Sequence, residues 1–153
     1  MSEDTVRINL RGLHSVLADH MKSSEFRVIK GKLSLGLKQS SFFTNLPWVR
    51  EQFMTKLGID PYLGTLNLDI VDGVYMQSLY ELKKQKGIQI LPGEPGFCAA
   101  KCFPVLVYEK IKGAIVIPQV FDYPESKLEI VSSHKIRDLL SLEVGDVVAV
   151  HII

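Results

Sequence analysis

The sequence predicts a mainly β domain that closes into a six-stranded barrel with two or three short helices. Short apolar segments alternate with Gly-, Pro- and polar-rich turns along most of the 153 residues, a pattern typical of many short strands. Only two or three segments have the 3.6-residue spacing of a helix. A closed barrel leaves no exposed strand edge, so we expect the sheet to close on itself.

The composition is typical of one globular domain: 46% of the residues are hydrophobic, 23% are charged, and the formal net charge is +1. A chain of this length buries roughly 68–70% of its unfolded surface. The near-neutral charge and the lack of a long basic run argue against a nucleic-acid partner. No apolar run approaches the roughly 20 residues of a membrane span, and the first residues, MSEDTVRINLRG, are too polar for a signal peptide. We therefore expect a cytoplasmic protein.

Residues 1–25 are interpreted as an N-terminal extension that precedes a domain at 26–153. Apolar residues in the extension recur at helical spacing and predict a short amphipathic helix: Leu10, Leu13, Val16, Leu17 and Met21. The domain is expected to begin with a strand over 26–36, followed by a loop over 36–45 that leads into a short strand.

A helix is predicted over residues 46–57. Asn45 is a candidate cap, Pro47 suits the first turn, and Gly58 follows the end. Its buried stripe would consist of Val49, Phe53 and Leu57.

The segment GIDPYLGTLNLDI (residues 58–70) is the centre of the prediction. Pro61 and Gly64 indicate a tight turn, after which apolar and polar residues alternate as in a strand. One face would carry Leu66, Leu68 and Ile70 towards a core, and the opposite face would carry Thr65, Asn67 and Asp69.

Thr65 and Asn67 are therefore expected to point the same way, just after a turn. Their hydroxyl and amide oxygens are hard neutral ligands of the kind that Mg²⁺ accepts when phosphate oxygens and water complete its shell. Hydrogen bonding to the backbone beside the turn is the alternative role for both side chains.

The second half of the sequence continues the strand pattern. A helix over 74–86 stops at Gly87, residues 92–96 (PGEPG) form a turn, and a short helix over 134–140 would be capped by Ser132 or Ser133. A further turn is expected at 143–146. Strands are predicted over 88–91, 97–108, 113–118, 127–131 and 147–153.

Cys98 and Cys102 would lie on one face of a strand. A zinc site needs about four ligands at characteristic spacings, and no His or further Cys stands nearby. Two buried, reduced thiols are predicted in preference to a metal site or a disulfide.

Two segments of the sequence are similar to each other. IKGKLSL at 29–35 matches IKGAIVI at 111–117, and each is followed by a strand with a polar residue between aliphatic ones: Leu66-Asn67-Leu68 and Leu128-Glu129-Ile130. A duplicated half-barrel would bring Asn67 and Glu129 together from related positions. Coincidence is the alternative.

A set of short motifs, in collinear order over residues 26–153, resembles the CTP-dependent riboflavin kinases of archaea. The most specific is the PYxGTLN motif of residues 61–67. The others are IKG at 29–31, GAIVxP at 113–118, LEI at 128–130, IR at 136–137 and LxxGD at 142–146.

This resemblance implies a cradle-loop barrel that phosphorylates riboflavin to FMN and uses CTP as the donor. It implies that Thr65 and Asn67 bind Mg²⁺ and that Glu129 contacts the ribityl end of riboflavin as the candidate catalytic base. It also implies nucleotide contacts from Ser132, Ser133, His134, Lys135 and Ile136. A solvated strand position for Glu129 and a surface position at a helix start for His134 are the structural alternatives.

The sequence departs from the family at three places. The glycine-rich loop after the first strand is replaced by Gly36, Leu37, Lys38, Gln39, Ser40 and Ser41, so only the first glycine remains. Glycine lets backbone N–H groups approach phosphates closely; Lys38 and the hydroxyls of Ser40 and Ser41 could replace part of that contact. Phe121 stands where the family has a threonine that contacts the flavin, and Ser132-Ser133 replaces Ala-Pro.

Three hypotheses follow for the function. The first is a CTP-dependent riboflavin kinase with riboflavin, FMN, CTP and CDP as its small-molecule ligands. The second is a catalytically inactive barrel that binds a flavin, a nucleotide or another metabolite, which the altered loop and Phe121 favour. The third is a structural or protein-interaction domain.

Overall fold

The computed structural model describes residues 27–36 and 43–153. The predicted helix of the N-terminal extension lies outside these residues. So do five predicted nucleotide-binding residues of the altered loop: Leu37, Lys38, Gln39, Ser40 and Ser41.

Six strands form a closed antiparallel barrel, as the sequence predicts. The strands of the described chain are β1 (Val28–Ser34), β2 (Leu66–Asp69), β3 (Ile88–Ile90), β4 (Ala100–Val107), β5 (Ile111–Pro118), β6 (Lys127–Ser132) and β7 (Val147–Ile152). The barrel order is β4-β5-β6-β2-β1-β7, and pairing of β7 with β4 closes it. The short strand β3 pairs with the first residues of β4, beyond the six barrel strands.

Helix α1 (Pro47–Gln52) continues into a π-helical turn (Phe53–Leu57), which ends at Gly58 with φ 67°. The expected cap at Asn45 is wrong, because Leu46 is the N-cap residue and no side chain caps the helix. The reason is steric: Pro47 forces the residue before it into an extended conformation, and Leu46 has φ −66° and ψ 131°. The short strand expected before this helix is also wrong, since residues 43–45 are helical.

Two further helices lie between strands. Helix α2 (Gly73–Lys83) is capped by Asp72, whose carboxylate accepts the Val74 N–H. Helix α3 (Ile136–Leu139) begins after Lys135 without a side-chain cap, so the expected cap at Ser132 or Ser133 is wrong. Ser132 is the last residue of β6, and its hydroxyl donates to the Lys112 carbonyl of β5 at 2.7 Å.

The inside of the barrel is apolar. Alternate residues of the strands fill it, among them Ile29, Leu33, Leu68, Ile115, Leu128, Ile130 and Val148. A second apolar cluster lies between α1 and the outer face of β4, β5 and β6; it contains the predicted stripe of Val49, Phe53 and Leu57. Fully burying one such side chain contributes about 1.5–3 kcal/mol, so this cluster fixes α1 to the outer face of the barrel.

Both cysteines are free thiols, as predicted. Cys102 is buried in β4 within the outer cluster, and burial raises the pKa of its thiol to about 12. Cys98 is only half-buried and precedes the strand, because β4 begins at Ala100. The two thiols therefore do not share a strand face. Among the described helices, none has the length and apolarity that a membrane crossing requires.

Candidate functional site

Asn67 and Glu129 are direct cross-strand partners. Strand β2 lies between β1 and β6, and its register with β6 pairs Asn67 with Glu129. Because side chains alternate along a strand, the residues that flank Asn67 enter the barrel core while Asn67 points to the other face. The meeting of these two residues, which the internal similarity of the sequence anticipates, is therefore present in the fold.

Four side chains form one continuous hydrogen-bonded chain at this position. The Asn67 amide donates to Thr65 Oγ1 at 3.1 Å and to the Thr65 carbonyl at 3.0 Å. Thr65 Oγ1 donates to Glu129 Oε1 at 3.0 Å. The Tyr123 hydroxyl donates to Glu129 Oε2 at 2.5 Å. Each carboxylate oxygen of Glu129 thus accepts one hydroxyl donor.

Tyr123 is a member of this chain that the sequence analysis missed. It lies in the loop between β5 and β6, six residues before Glu129. Burial, followed by the hydrogen bond to Glu129 and the negative charge of that carboxylate, raises the pKa of Tyr123 well above its ordinary value. The phenol is therefore a neutral hydrogen-bond donor over the physiological pH range.

Gly36 packs directly against the Asn67 amide. A Cβ atom built on Gly36 would lie 2.1 Å from Asn67 Nδ2 and 2.7 Å from Asn67 Cγ, distances that no real Cβ tolerates. Glycine at this position therefore lets the chain after β1 approach the amide closely. This is the one residue of the predicted nucleotide loop that the structure describes, and it lies at the site.

Two cavities of different character meet at this chain of side chains. The first has a volume of about 170 Å³ and is the more polar of the two, hereafter the polar groove; its lining includes Ser34, Gly36, Tyr62, Thr65, Asn67, Ser132, His134, Lys135, Ile136 and Arg137. The second has a volume of about 270 Å³ and is mostly apolar, lined by Phe43, Thr65, Phe97, Cys98, Ala100, Val116, Pro118, Val120, Tyr123, Glu129 and Val131. Thr65 lines both cavities, so it marks their junction.

Two cationic side chains and a buried hydroxyl line the polar groove. Lys135 pairs with Asp138 at 3.2 Å, and the Arg137 Nε–H is directed to the Leu142 carbonyl at 3.4 Å. Ser34 Oγ is buried and has no hydrogen-bond partner among the described residues. Neither Arg137 nor Ser34 belongs to the predicted site, although Arg137 is part of a motif that carried the resemblance.

An aromatic cluster stands behind the apolar cavity. Trp48 makes edge-to-face contacts with Phe43 and Phe97, with ring centroids 6.2 Å and 5.3 Å apart. Phe43 and Phe97 in turn line the cavity. Rigid aromatic walls of this kind favour a flat apolar ligand.

Most of the predicted site residues that the structure describes lie together. Gly36, Thr65, Asn67, Ser132, His134, Lys135 and Ile136 line the groove, and Glu129 lines the apolar cavity. Ser133 lines neither; its hydroxyl accepts the Asp60 N–H at 3.1 Å. Phe121 is fully exposed and also lines neither cavity.

The side-chain oxygens of Thr65 and Asn67 suit a hard cation that takes most of its ligands from phosphate groups and water. The described residues contain no cluster of three or more His, Cys, Asp or Glu side chains that could hold a metal ion. A hydroxyl and an amide oxygen are neutral, so they suit Mg²⁺ that is shared with phosphate oxygens and water.

Comparison with known proteins identifies the relatives of this chain. The family model CTP-dep_RFKase, described as a domain of unknown function, DUF120, matches residues 33–152. The chain belongs to the CTP-dependent riboflavin kinase family. Its match extends from β1 to β7 and includes all four side chains of the hydrogen-bonded chain.

Individual riboflavin kinases are similar to this chain over most of its length. A riboflavin kinase of Sulfurisphaera tokodaii is 38% identical over 128 residues, which cover 81% of this chain and 93% of the relative. A riboflavin kinase of Sulfolobus acidocaldarius is 34% identical over 146 residues, or 94% and 92% of the two chains. A riboflavin kinase of Archaeoglobus fulgidus is 39% identical over 129 residues, or 82% of this chain and 54% of the relative.

Proposed function

We propose that this chain transfers a phosphoryl group from CTP to the 5′-hydroxyl of riboflavin, giving FMN and CDP. The observation that carries the proposal is the junction of a polar groove and an apolar cavity at Thr65, with Asn67 in the groove and Glu129 in the cavity. A two-substrate transferase needs a donor site and an acceptor site that share one reacting point. Membership of the riboflavin kinase family supports the choice of substrates.

The apolar cavity is the proposed acceptor site. Its aromatic wall suits the flat ring system of riboflavin, and Glu129 is the acidic residue in its lining. A ribityl chain that extends from the ring towards Thr65 would bring its terminal hydroxyl to this carboxylate. Glu129 would then orient the hydroxyl and accept its proton during the transfer.

The polar groove is the proposed donor site. His134, Lys135 and Arg137 lie along it, and positive charge there would attract the triphosphate of CTP. Thr65 and Asn67 would hold Mg²⁺ with the nucleotide phosphates. When bound, the ion supplies positive charge to the phosphoryl group being transferred. A kinase that uses CTP is expected to work in the cytoplasm.

The altered segment after β1 keeps a second candidate function open, namely a barrel that binds a flavin or a nucleotide without catalysis. Of the glycine-rich loop that the resemblance implies, only Gly36 remains in this sequence. Loss of the other glycines removes positions at which backbone N–H groups approach phosphates.

A turnover assay separates the two functions. Riboflavin, Mg²⁺ and either CTP or ATP are incubated with the protein, and riboflavin and FMN are separated by chromatography. We expect FMN with CTP. Absence of FMN with both nucleotides, together with retained riboflavin binding, would contradict the kinase and favour the binding protein.

A pair of variants tests the role of Glu129 in the same assay. Glu129→Gln keeps the shape of the side chain but removes the charge, and we expect turnover to fall by about 10²–10⁴-fold, the usual contribution of a general base. Glu109→Gln is the matched control, because the Glu109 side chain is 75% exposed in the hairpin between β4 and β5. Wild-type turnover in Glu129→Gln would exclude the assigned role.

A further inference from the structure

The Glu129 carboxylate is held from two sides by donors on two different segments. Thr65 Oγ1, just before β2, donates to Oε1 at 3.0 Å, and the Tyr123 hydroxyl, in the loop between β5 and β6, donates to Oε2 at 2.5 Å. A short hydrogen bond from a hydroxyl to an ionised oxygen belongs to the strong, charge-assisted class. Without the second donor the carboxylate group could rotate about its terminal bond, because that torsion has a broad energy well.

The groups around Glu129 show why the Tyr123 hydroxyl matters for the orientation of the carboxylate. From β2 and β5, the side chains opposite Glu129 are Asn67 and Val116, which are both uncharged. Cys98, from the segment before β4, is the other titratable group that lines the same cavity. Among the described residues Glu129 forms no ion pair, so the two hydroxyl donors are what hold its carboxylate in place.

We propose that Tyr123 is a positioning residue for phosphoryl transfer: it fixes the orientation of the Glu129 carboxylate, with Oε1 towards Thr65. The inference rests on the proposed function, because it assigns Tyr123 a role through the proposed base. The phenol occupies Oε2, which leaves the free lone pair of Oε1 at the junction of the two cavities for the substrate hydroxyl.

Tyr123→Phe removes only the hydroxyl oxygen and is the direct test. We expect kcat at pH 7 to fall about tenfold and the riboflavin KM to change less than twofold. The reason is that the carboxylate loses one of its two orienting donors while the riboflavin cavity keeps its shape. A tyrosine that only shaped the cavity would change the riboflavin KM and riboflavin binding together with kcat. Riboflavin binding is measured independently of turnover, through the fluorescence of Trp48, the single tryptophan of the chain.

Tyr108→Phe is the matched control. Its hydroxyl donates to the Val147 carbonyl at 2.6 Å, and it lies at the opposite end of β5 from the apolar cavity. The control should keep the wild-type kcat and riboflavin KM. A kcat for Tyr123→Phe that equals that of Tyr108→Phe would overturn the inference.

A second pair of variants tests whether Tyr123 acts through Glu129. In a Glu129→Gln background, Tyr123→Phe should cause no further loss of kcat, because residues that act as one unit are non-additive. An equal fold-loss in both backgrounds would overturn the inference. FMN formation by the wild type together with an unchanged kcat in Tyr123→Phe would contradict this inference alone, whereas absence of FMN from the wild type would contradict the proposed function as well.

Discussion

Gly36 and Asn67 are packed so closely that a single methyl group would displace the amide. The Cβ of an alanine at Gly36 would lie 2.1 Å from Asn67 Nδ2, 2.7 Å from Asn67 Cγ and 3.1 Å from Asn67 Oδ1, so the whole overlap falls on this amide. Asn67 is itself 4% exposed and bonded to Thr65. The position of Asn67, a proposed metal ligand in β2, therefore depends on Gly36, which lies just after β1.

Gly36→Ala is expected to weaken the binding of CTP in the presence of Mg²⁺ by at least about tenfold, because the displaced amide no longer lies beside Thr65. Calorimetric titration with CTP and Mg²⁺ measures this directly. Riboflavin binding, measured through Trp48 fluorescence, should be unchanged, since Gly36 does not line the apolar cavity.

The matched control for this variant is Gly73→Ala. A Cβ built on Gly73 meets no atom within 4 Å, so the control should bind both substrates as the wild type does. Wild-type CTP affinity in Gly36→Ala would show that the Asn67 amide takes no part in nucleotide binding.

The part of the site that could be predicted from sequence is the part that strand geometry dictates. The two-residue period places Thr65 and Asn67 on one face of a strand, and the resemblance adds Glu129. Tyr123 and Ser34 could not be found in this way, because neither carries a distinctive motif. Their place at the site depends on the path of a loop and on the pairing of β1 with β2, which are non-local properties of the fold.

At the scale of elements, the segment that leads into β4 forms one wall of the apolar cavity. Phe97 and Cys98 precede β4, which begins at Ala100, and their side chains line the cavity. Cys102 lies within the strand and is 0% exposed. Sequence patterning predicts one longer strand over 97–108, because the run is mostly apolar. The Pro-Gly turn at 92–96 is predicted correctly, but apolar patterning cannot tell a strand residue from a cavity wall.

Riboflavin is expected to protect Cys98 from alkylation by a maleimide. The ligand would occupy the cavity that Cys98 lines, so the labelling rate should fall at least about fivefold at a riboflavin concentration well above its Kd. CTP alone should not protect the thiol, because Cys98 does not line the groove. Mass spectrometry of the labelled protein gives the rate for each cysteine.

Cys102 is the internal control in the same sample. It is fully buried and its pKa is raised to about 12, so the native protein should leave it unlabelled with or without ligand. Equal labelling of Cys98 in the presence and absence of riboflavin would place the flavin outside the apolar cavity.

For the whole molecule, the buried Cys102 thiol makes stability depend on pH in the alkaline range. Its pKa is raised from 9.0 in the unfolded chain to about 12 in the fold, so the folded state binds this proton more tightly. The contribution to stability is fully present below about pH 9 and is lost as the pH rises towards 12.

Urea unfolding at pH 8 and pH 10.5, under reducing conditions, should show this loss. Between these two pH values the wild type is expected to lose on the order of 2 kcal/mol more free energy of unfolding than Cys102→Ala, which has no thiol to ionise. Cys98→Ala is the control and should follow the wild type, because its thiol is only half-buried. Equal pH dependence in the wild type and Cys102→Ala would mean that the Cys102 thiol ionises as easily in the fold as in the unfolded chain.

The arrangement of the two cavities also determines the order of events that the protein can support. Both open onto Thr65 and belong to one barrel, so donor and acceptor can be bound at the same time with their reacting groups at one point. Direct transfer between bound substrates then needs no covalent phosphoryl-enzyme, and the role of the protein is to position the groups and neutralise their charge.

Initial rates measured against riboflavin at several fixed CTP concentrations should therefore give intersecting double-reciprocal lines. Label exchange between CDP and CTP should not occur without riboflavin, because the phosphoryl group has no acceptor until the apolar cavity is filled. Parallel lines together with riboflavin-independent exchange would require a phosphorylated side chain at the junction. Thr65 would then be the residue to examine by mass spectrometry, because its hydroxyl lies between the two cavities and 3.0 Å from the Glu129 carboxylate.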